Sequence, residues 1–295
     1  MFADAINHVA AFTRPIHTIS RYHGSTVVRP GAATLFFINA EGYALTCRHV
    51  ADSLRIALTL PPARANIQAA FAAPRGKQTP ARHRREVEKR FGLNQDTLIE
   101  FQFRLIDCVD ALSDVSFTTH PTADLALIQF KGFSQVLCPA FPVFPKDPTK
   151  YLQQGRSLCR LGFPFPEFSN FAYDPVTDSI SWTSIGRTGT PRFPTDGMVT
   201  RHVINASGAI DGFELSTPGL RGQSGGPAFT SEGLVVGMQS STAHLDLDFD
   251  VDLTVQRAGH SRQVRESAVM HVGRCVHANT IKDFLRAHNV SFQEA

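Results

Sequence analysis

From Thr26 onward the chain is a succession of short β-rich runs cut by glycine, proline and asparagine turns, which argues against a helical layer fold. Thr34-Leu-Phe-Phe-Ile38 reads as a strand, Asn39-Ala-Glu-Gly42 as a turn and Tyr43-Ala-Leu-Thr46 as the returning strand of a hairpin. Residues 50–57 read as a short helical turn and the start of the next strand, and strand patterns return at 98–109 and 124–130. A proline-rich crossover at 131–151 separates this half from a second, which opens on Arg156-Ser-Leu-Cys-Arg-Leu-Gly162. Phe2, Ile6, Val9 and Ala10 at one end, and Ile281, Phe284 and Leu285 at the other, recur at helical spacing and predict one short helix each. At 295 residues the chain has room for two core-forming halves, placed at 1–135 and 136–295. Many short strands with terminal helices predict β-barrels, an all-β class.

Residues 61–97 interrupt this rhythm. Four prolines (Pro61, Pro62, Pro74 and Pro80) precede the basic run Arg82-His-Arg-Arg-Glu-Val-Glu-Lys-Arg90. Glu86 and Glu88 break up its charge and no stacking aromatics are interleaved, so it reads as a solvated helix in a surface insertion. With a net charge of only +3, no nucleic-acid partner is expected. No apolar run reaches the roughly 18–20 residues that span a bilayer, and the acidic Asp4 argues against a secretion signal, so no membrane partner is expected. Five widely spaced cysteines (Cys47, Cys108, Cys138, Cys159 and Cys275) form no C-x-x-C pair. They read as reduced, buried thiols of a cytoplasmic protein, and no metal is expected. Asp246, Asp248, Asp250 and Asp252 alternate as a polar strand face, without the glycine and closing glutamate of a calcium loop.

Three segments carry chemistry, in the order His, Asp, Ser. Ala44-Leu-Thr-Cys-Arg-His-Val50 is a strand ending in a turn that bears His49, and in Ala123-Asp-Leu-Ala-Leu-Ile128 Asp124 opens an apolar strand. Leu220-Arg-Gly-Gln-Ser-Gly-Gly-Pro-Ala228 is a glycine-rich loop around Ser224. A serine hydroxyl is a weak nucleophile at neutral pH and needs a base to take its proton. Histidine is the suitable base, and a carboxylate on its other ring nitrogen fixes the tautomer and stabilises the imidazolium. Glycine at 222 lets its N–H and that of Ser224 converge on a developing oxyanion. The chemistry asks for no cofactor.

These segments resemble those of trypsin-like (chymotrypsin-fold) serine proteases. Gly222-Gln-Ser-Gly-Gly-Pro227 resembles the nucleophile loop, Thr46-Cys-Arg-His-Val50 the histidine segment and Asp124-Leu-Ala-Leu-Ile128 the aspartate strand. Residues 155–164, Leu234-Val-Val-Gly-Met238 and Val272-Gly-Arg-Cys-Val276 resemble second-barrel strands of the bacterial, HtrA-like branch, here without a PDZ domain. The resemblance spans roughly 25–288, with divergent insertions at 61–97 and 243–270. It implies two six-stranded antiparallel barrels with a short N-terminal and a C-terminal helix. His49 would be the general base, Asp124 the orienting acid, Ser224 the nucleophile, and Gly222 with Ser224 the oxyanion hole.

Gln223 stands where digestive members carry the aspartate that pairs with a new amino terminus, which implies an enzyme competent as made or controlled in another way. Pro218 falls six residues before Ser224, where trypsin has the acid that recognises Lys or Arg, so a small or apolar P1 residue is one expectation. A basic P1, recognised by Asp250 or Asp252, is the other. Ser240, Ser241 and Thr242 would form the edge that pairs with substrate backbone. The activity implied is an intracellular, regulated serine endopeptidase acting on a protein or peptide substrate, with a regulatory protein partner and the 61–97 insertion as a lid. The alternatives are a catalytically silent binding module of the same fold, and an esterase or acyltransferase using the same triad.

Overall fold

The structure, a computed structural model, describes every residue except Met1, Ser207 and Ala258. After a first helix, α1 (Ala3–Ala10), come β1 (Thr13–Tyr22), β2 (Arg29–Phe37) and β3 (Tyr43–Thr46). Two helices follow, α2 (Arg48–Ala72) and α3 (Pro80–Phe91), then β4 (Leu98–Leu105), β5 (Asp114–Thr119) and β6 (Ala126–Lys131). These six strands form one antiparallel sheet in the order β4-β1-β2-β3-β6-β5. The expected hairpin is there, with Phe36 opposite Leu45.

The crossover carries only β7 (Val143–Phe144) and one turn of 3₁₀ helix. Then come β8 (Ser157–Gly162), the small hairpin β9 (Phe171–Asp174) and β10 (Ser179–Trp182), β11 (Phe193–Ile204) and β12 (Ile210–Leu215). The last elements are β13 (Pro227–Phe229), β14 (Val235–Arg257), β15 (His260–His277), α4 (Ala278–Ala287) and β16 (Gln293–Glu294). Six of these strands close into a barrel in the order β11-β12-β15-β14-β13-β8. The chain is thus the expected pair of six-stranded antiparallel units with a helix at each end.

Phenylalanine fills the first unit: Phe12, Phe36, Phe37 and Phe130 are buried, with Phe37 and Phe130 at 5.0 Å between ring centres. That cluster continues through Phe229, Val235 and Met238 into the second unit and under Ile281, Phe284 and Leu285 of α4. The periodicity of α4 therefore reports the face that seals the two barrels together. Leu158, Val199, Phe213, Leu215 and Val236 fill the second barrel itself.

The sequence reading falls short in two regions. The strand expected to begin before Ala57 is absent, because α2 runs unbroken through Pro61 and Pro62. Each proline removes a helical N–H, freeing the carbonyls of Ala57 and Leu58. Leu58 is exposed, so water can satisfy the freed groups on that side. Farther along, Arg64 pairs with Glu100 of β4 at 2.6 Å, which anchors the helix to the sheet. The second region is the acidic run. Asp248 takes a left-handed conformation (φ 59°) inside an irregularity between Asp246 and Asp250, which breaks the expected alternation.

Candidate active site

β3 ends at Thr46, and Cys47 turns the chain into α2, which places His49 in the first helical turn. The cap residue Cys47 supplies no side-chain acceptor, so the early N–H groups of this long helix need one from elsewhere. Asp124 supplies it. Its Oδ1 accepts from the His49 backbone N–H at 3.1 Å while its Oδ2 lies 2.9 Å from His49 Nδ1. One carboxylate thus caps the helix and orients the imidazole, and the positive end of the helix dipole favours its charge. The turn carrying Asp124 is held by a residue the sequence reading passed over. His120 Nδ1 accepts from the N–H groups of Thr122 (3.2 Å) and Ala123 (2.9 Å), and burial, the main influence, lowers its pKa towards the neutral form this requires.

Burial alone would push the Asp124 carboxyl up, but hydrogen bonds from the His49 ring and backbone outweigh it and hold it below the ordinary range. The same ring hydrogen bond raises His49 above its ordinary 6.5 against partial burial, with help from the charges of Asp124 and Asp52. His49 is half-exposed.

Ser224 sits at the tip of the glycine loop between β12 and β13. Two threonines of the first barrel hold this loop. Thr34 N–H donates to the Ser224 carbonyl at 3.0 Å, Thr34 Oγ1 to the Gly222 carbonyl at 2.8 Å, and Thr46 Oγ1 to the Thr34 carbonyl at 2.8 Å. Two glycines are obligatory. Gly225 (φ 89°) lies so close to the Thr34 carbonyl and Thr46 Oγ1 that a Cβ would collide. Gly222 (φ 103°) would place one 2.7 Å from the Phe163 carbonyl. Among the described residues, neither the Gly222 nor the Ser224 N–H has an acceptor within the protein, while Gln223 N–H is bonded to the Leu220 carbonyl and Gly225 N–H to that of Gln239.

The Ser224 hydroxyl rests on the Ser240 carbonyl at 3.3 Å. That carbonyl is 4.0 Å from Cys47 Sγ, whose donor atom lies within 4.8 Å of those of His49 and Asp124. The three sequence segments therefore converge, with Ser240 O as their meeting point, and rotation about Cα–Cβ is what turns the hydroxyl from it. Cys47, His49 and Asp124 also form the described grouping that could hold a metal ion. However, His49 Nδ1 and Asp124 stand at hydrogen-bond distance, 2.9 Å, closer than two ligands at about 2.0–2.2 Å around one tetrahedral zinc ion lie. Burial also pushes the Cys47 thiol well up, and it is bonded to the Gln239 carbonyl at 3.2 Å.

Gln223 is fully buried and satisfied. Its Oε1 accepts from Leu220 N–H at 3.0 Å, and its Nε2 donates to the Phe193 carbonyl and Thr195 Oγ1, both at 3.1 Å. A neutral side chain anchors the loop to β11 where the resemblance has an ion pair.

On the far side of the loop, β13 pairs with β14 only from Val235 to Met238, while β15 pairs with Ser241 and Thr242. The other edge of Ser240, Ser241 and Thr242 is therefore open in the sheet. Thr242 Oγ1 donates to the Gly219 carbonyl at 2.8 Å, joining that edge to the segment of exposed Pro218. Beneath both lies Arg160, which sequence reasoning missed inside a strand of small and apolar residues. It is fully buried, with Nη1 on Gln239 Oε1 (2.6 Å) and Nη2 on Thr217 Oγ1 (2.6 Å) and on the carbonyls of Thr217 (3.1 Å) and Pro218 (3.2 Å). Asp250 and Asp252 are not near Pro218, Thr242 or Arg160. Asp250 lies eight positions beyond Thr242, roughly 20 Å or more along the strand, and pairs with Arg265 at 2.7 Å.

A groove of about 570 Å³ runs from the other side of the loop, between Ser53 and Ile56 of α2, Pro30 of β2, and Pro164, Pro166 and Arg221. A larger cavity, about 660 Å³, lies between Phe71 of α2 and His83 of α3, and no triad residue lines it. The insertion is docked on the first sheet through Arg64–Glu100 and Glu88–His23.

A trypsin-like peptidase domain model matches residues 33–238. The chain belongs to the trypsin-like peptidase family. Among solved structures it is similar to the HtrA-type protease AlgW with a decapeptide, at 13% identity and a TM-score of 0.49, over 97% of this chain and 67% of that one. A serine-to-alanine variant of the same protease with a tripeptide gives 13% identity and a TM-score of 0.48, over 97% of this chain and 63% of that one. No curated protein matches the chain.

Proposed function

We propose that this chain is a serine endopeptidase. The observation that carries the reading is the His49–Asp124 pair, whose neighbour Cys47 and the Ser224 hydroxyl both approach the Ser240 carbonyl, together with two unengaged N–H groups at Gly222 and Ser224. In that reading Ser224 Oγ attacks the scissile carbonyl as His49 Nε2 takes its proton. Asp124 holds the ring through Nδ1–H and stabilises the imidazolium. The tetrahedral oxyanion is stabilised by the Gly222 and Ser224 N–H groups, and His49 returns the proton to the leaving amine. Water then hydrolyses the acyl-enzyme by the same route. The substrate backbone adds as a strand along the open edge of Ser240, Ser241 and Thr242, and its P1 side chain enters a recess that this reading places over Arg160, between Pro218 and Thr242. A cation there favours an acidic P1 residue. Five unpaired, buried cysteines suit a reducing compartment, and an intracellular enzyme under the control of a protein partner belongs to the same reading.

A fluorophosphonate probe tests it. Mass spectrometry should find the adduct on Ser224, and His49→Ala should abolish it under the same conditions. A protein with no adduct on Ser224 is the silent binding module instead.

The reading also fixes a pH dependence. His49 acts as base only when neutral, and the Asp124 hydrogen bond raises its pKa above 6.5. The acid limb of kcat/KM is therefore expected above pH 6.5, with activity rising as His49 loses its proton. Asp52 is one of the charges that raise it, so Asp52→Asn should move the limb to lower pH. An unmoved limb, or one below 6.5, would show that another group governs it.

A further inference from the structure

Beyond Thr242 and Gly273, β14 and β15 leave the barrel and continue as a two-stranded arm as far as Arg257 and His260. Its outer part has a polar face and an apolar one, set by uninterrupted antiparallel register. On the polar face Asp250 is opposite Ser267 and Asp252 opposite Arg265. Three of them are bonded together, Arg265 Nε with Asp250 at 2.7 Å and Ser267 Oγ with Asp250 at 3.0 Å. On the other face three rows follow in order: Val251 opposite Glu266, Leu253 opposite Val264, and Val255 opposite Arg262. Val251, Leu253 and Val255 stand 39%, 42% and 44% exposed. A two-stranded ribbon has no second layer of its own, and it is marginal in water unless something covers its apolar face.

We propose that the cover is the same face of a second copy, packed about a two-fold axis. The pattern of the rows decides this. The middle row is wholly apolar, and the outer rows are alike except that one ends in an anion and the other in a cation. A two-fold axis lying in the face, across the strands at the Leu253–Val264 row, stacks Leu253 on Leu253 and Val264 on Val264. It lays the Val251–Glu266 row of each copy over the Val255–Arg262 row of the other. Glu266 then meets Arg262 of the second copy, twice by symmetry, around a shared aliphatic centre. The alternative is worse. A two-fold axis along the strands, which stacks the ribbons in parallel, sets each charge on a valine. Face and charge together therefore select one isologous arrangement, independently of what the triad does.

A patch of six side chains per copy is well below the roughly 800 Å² per partner of a standard interface, so the association is weak and reversible. Sedimentation velocity of the full chain across roughly 1–200 µM should show a concentration-dependent monomer–dimer equilibrium, with dissociation constants of about micromolar order. Leu253→Asp should weaken it by about 100-fold or more, since it buries two facing carboxylates. Arg262→Glu should weaken it by about tenfold or more, and Arg262→Glu with Glu266→Arg should return it to within about threefold of the parent. Exposed positions tolerate these changes, and an unchanged Tm verifies that each variant folds. A chain that stays monomeric throughout, a dimer indifferent to Leu253→Asp, or a double charge exchange that fails to restore association would each overturn the proposal.

Discussion

His49→Ala and Ser224→Ala are each expected to lower kcat by about 10⁶-fold, and the double variant by little more than either alone. The non-additivity follows from the chemistry. Without the base, the Ser224 hydroxyl remains a neutral alcohol, and without the hydroxyl, the base has no proton to move. Asp124→Asn should cost about 10⁴-fold, because an amide that accepts from the helix N–H cannot also stabilise an imidazolium as a carboxylate does. Residual peptidase activity about 10³-fold above the uncatalysed rate should persist, from the Gly222 and Ser224 N–H groups and from binding. Stability separates the three. His49 is half-exposed and Ser224 Oγ makes one long hydrogen bond, so those variants should melt close to the parent. Asp124 caps α2, and its replacement should lower stability by about 1 kcal/mol. Peptide cleavage with purified variants, beside thermal unfolding, checks both. A Ser224→Ala enzyme retaining a tenth of the parent rate would remove Ser224 from the chemistry.

These expectations rest on residues that the chain itself singles out. The glycine loop was legible because backbone forced to positive φ against neighbouring carbonyls leaves a residue type behind, as at Gly222 and Gly225. β3 was legible to the residue, Tyr43–Thr46, since a strand entering a tight turn shows both its alternation and its stop. The helix that follows was not. Two adjacent prolines read as a break, and the exposure of the helix around Leu58 and the Arg64–Glu100 anchor explain why α2 continues.

Contacts made by backbone carbonyls were equally invisible. Ser240 matters at the site through its carbonyl, which every residue has, and its hydroxyl points instead to the Arg274 carbonyl at 3.1 Å. Thr34 and Thr46 tie the loop to the first barrel from positions that read as ordinary strand residues. Through them the two barrels share one hydrogen-bonded unit at the site. A loosened barrel interface should therefore disturb the nucleophile loop before it unfolds either half.

Arg160 is the clearest case of a residue whose meaning depends on what surrounds it, and it sets the last expectation, on substrate choice. An arginine with no solvent exposure usually has a carboxylate beside it. Among the described residues Arg160 forms no ion pair, and its Nε has no partner. Burial pulls its pKa down, yet three carbonyl or amide oxygens and a hydroxyl receive its protons, and it stays cationic. Gly273 makes room for it, since a Cβ there would collide with Nη1. In the proposed reading the recess between Pro218 and Thr242 thus ends in a buried positive charge with no ion pair, held by the amide of Gln239 and offset only by the more distant charge of Asp196. A P1 carboxylate would give that cation a direct partner, while a P1 Lys or Arg would bring a second cation to it at a cost of several kcal/mol. In a peptide series differing only at P1, kcat/KM for Asp or Glu is expected to exceed that for Lys by about 10²-fold or more. Arg160→Gln, a neutral donor that keeps some of the same hydrogen bonds, should shrink that ratio towards one. It should do so with a smaller change in cleavage after alanine. A parent enzyme that cuts best after Lys or Arg would mean that P1 does not reach this floor, and that the recess is closed by the Gln239–Arg160 pair.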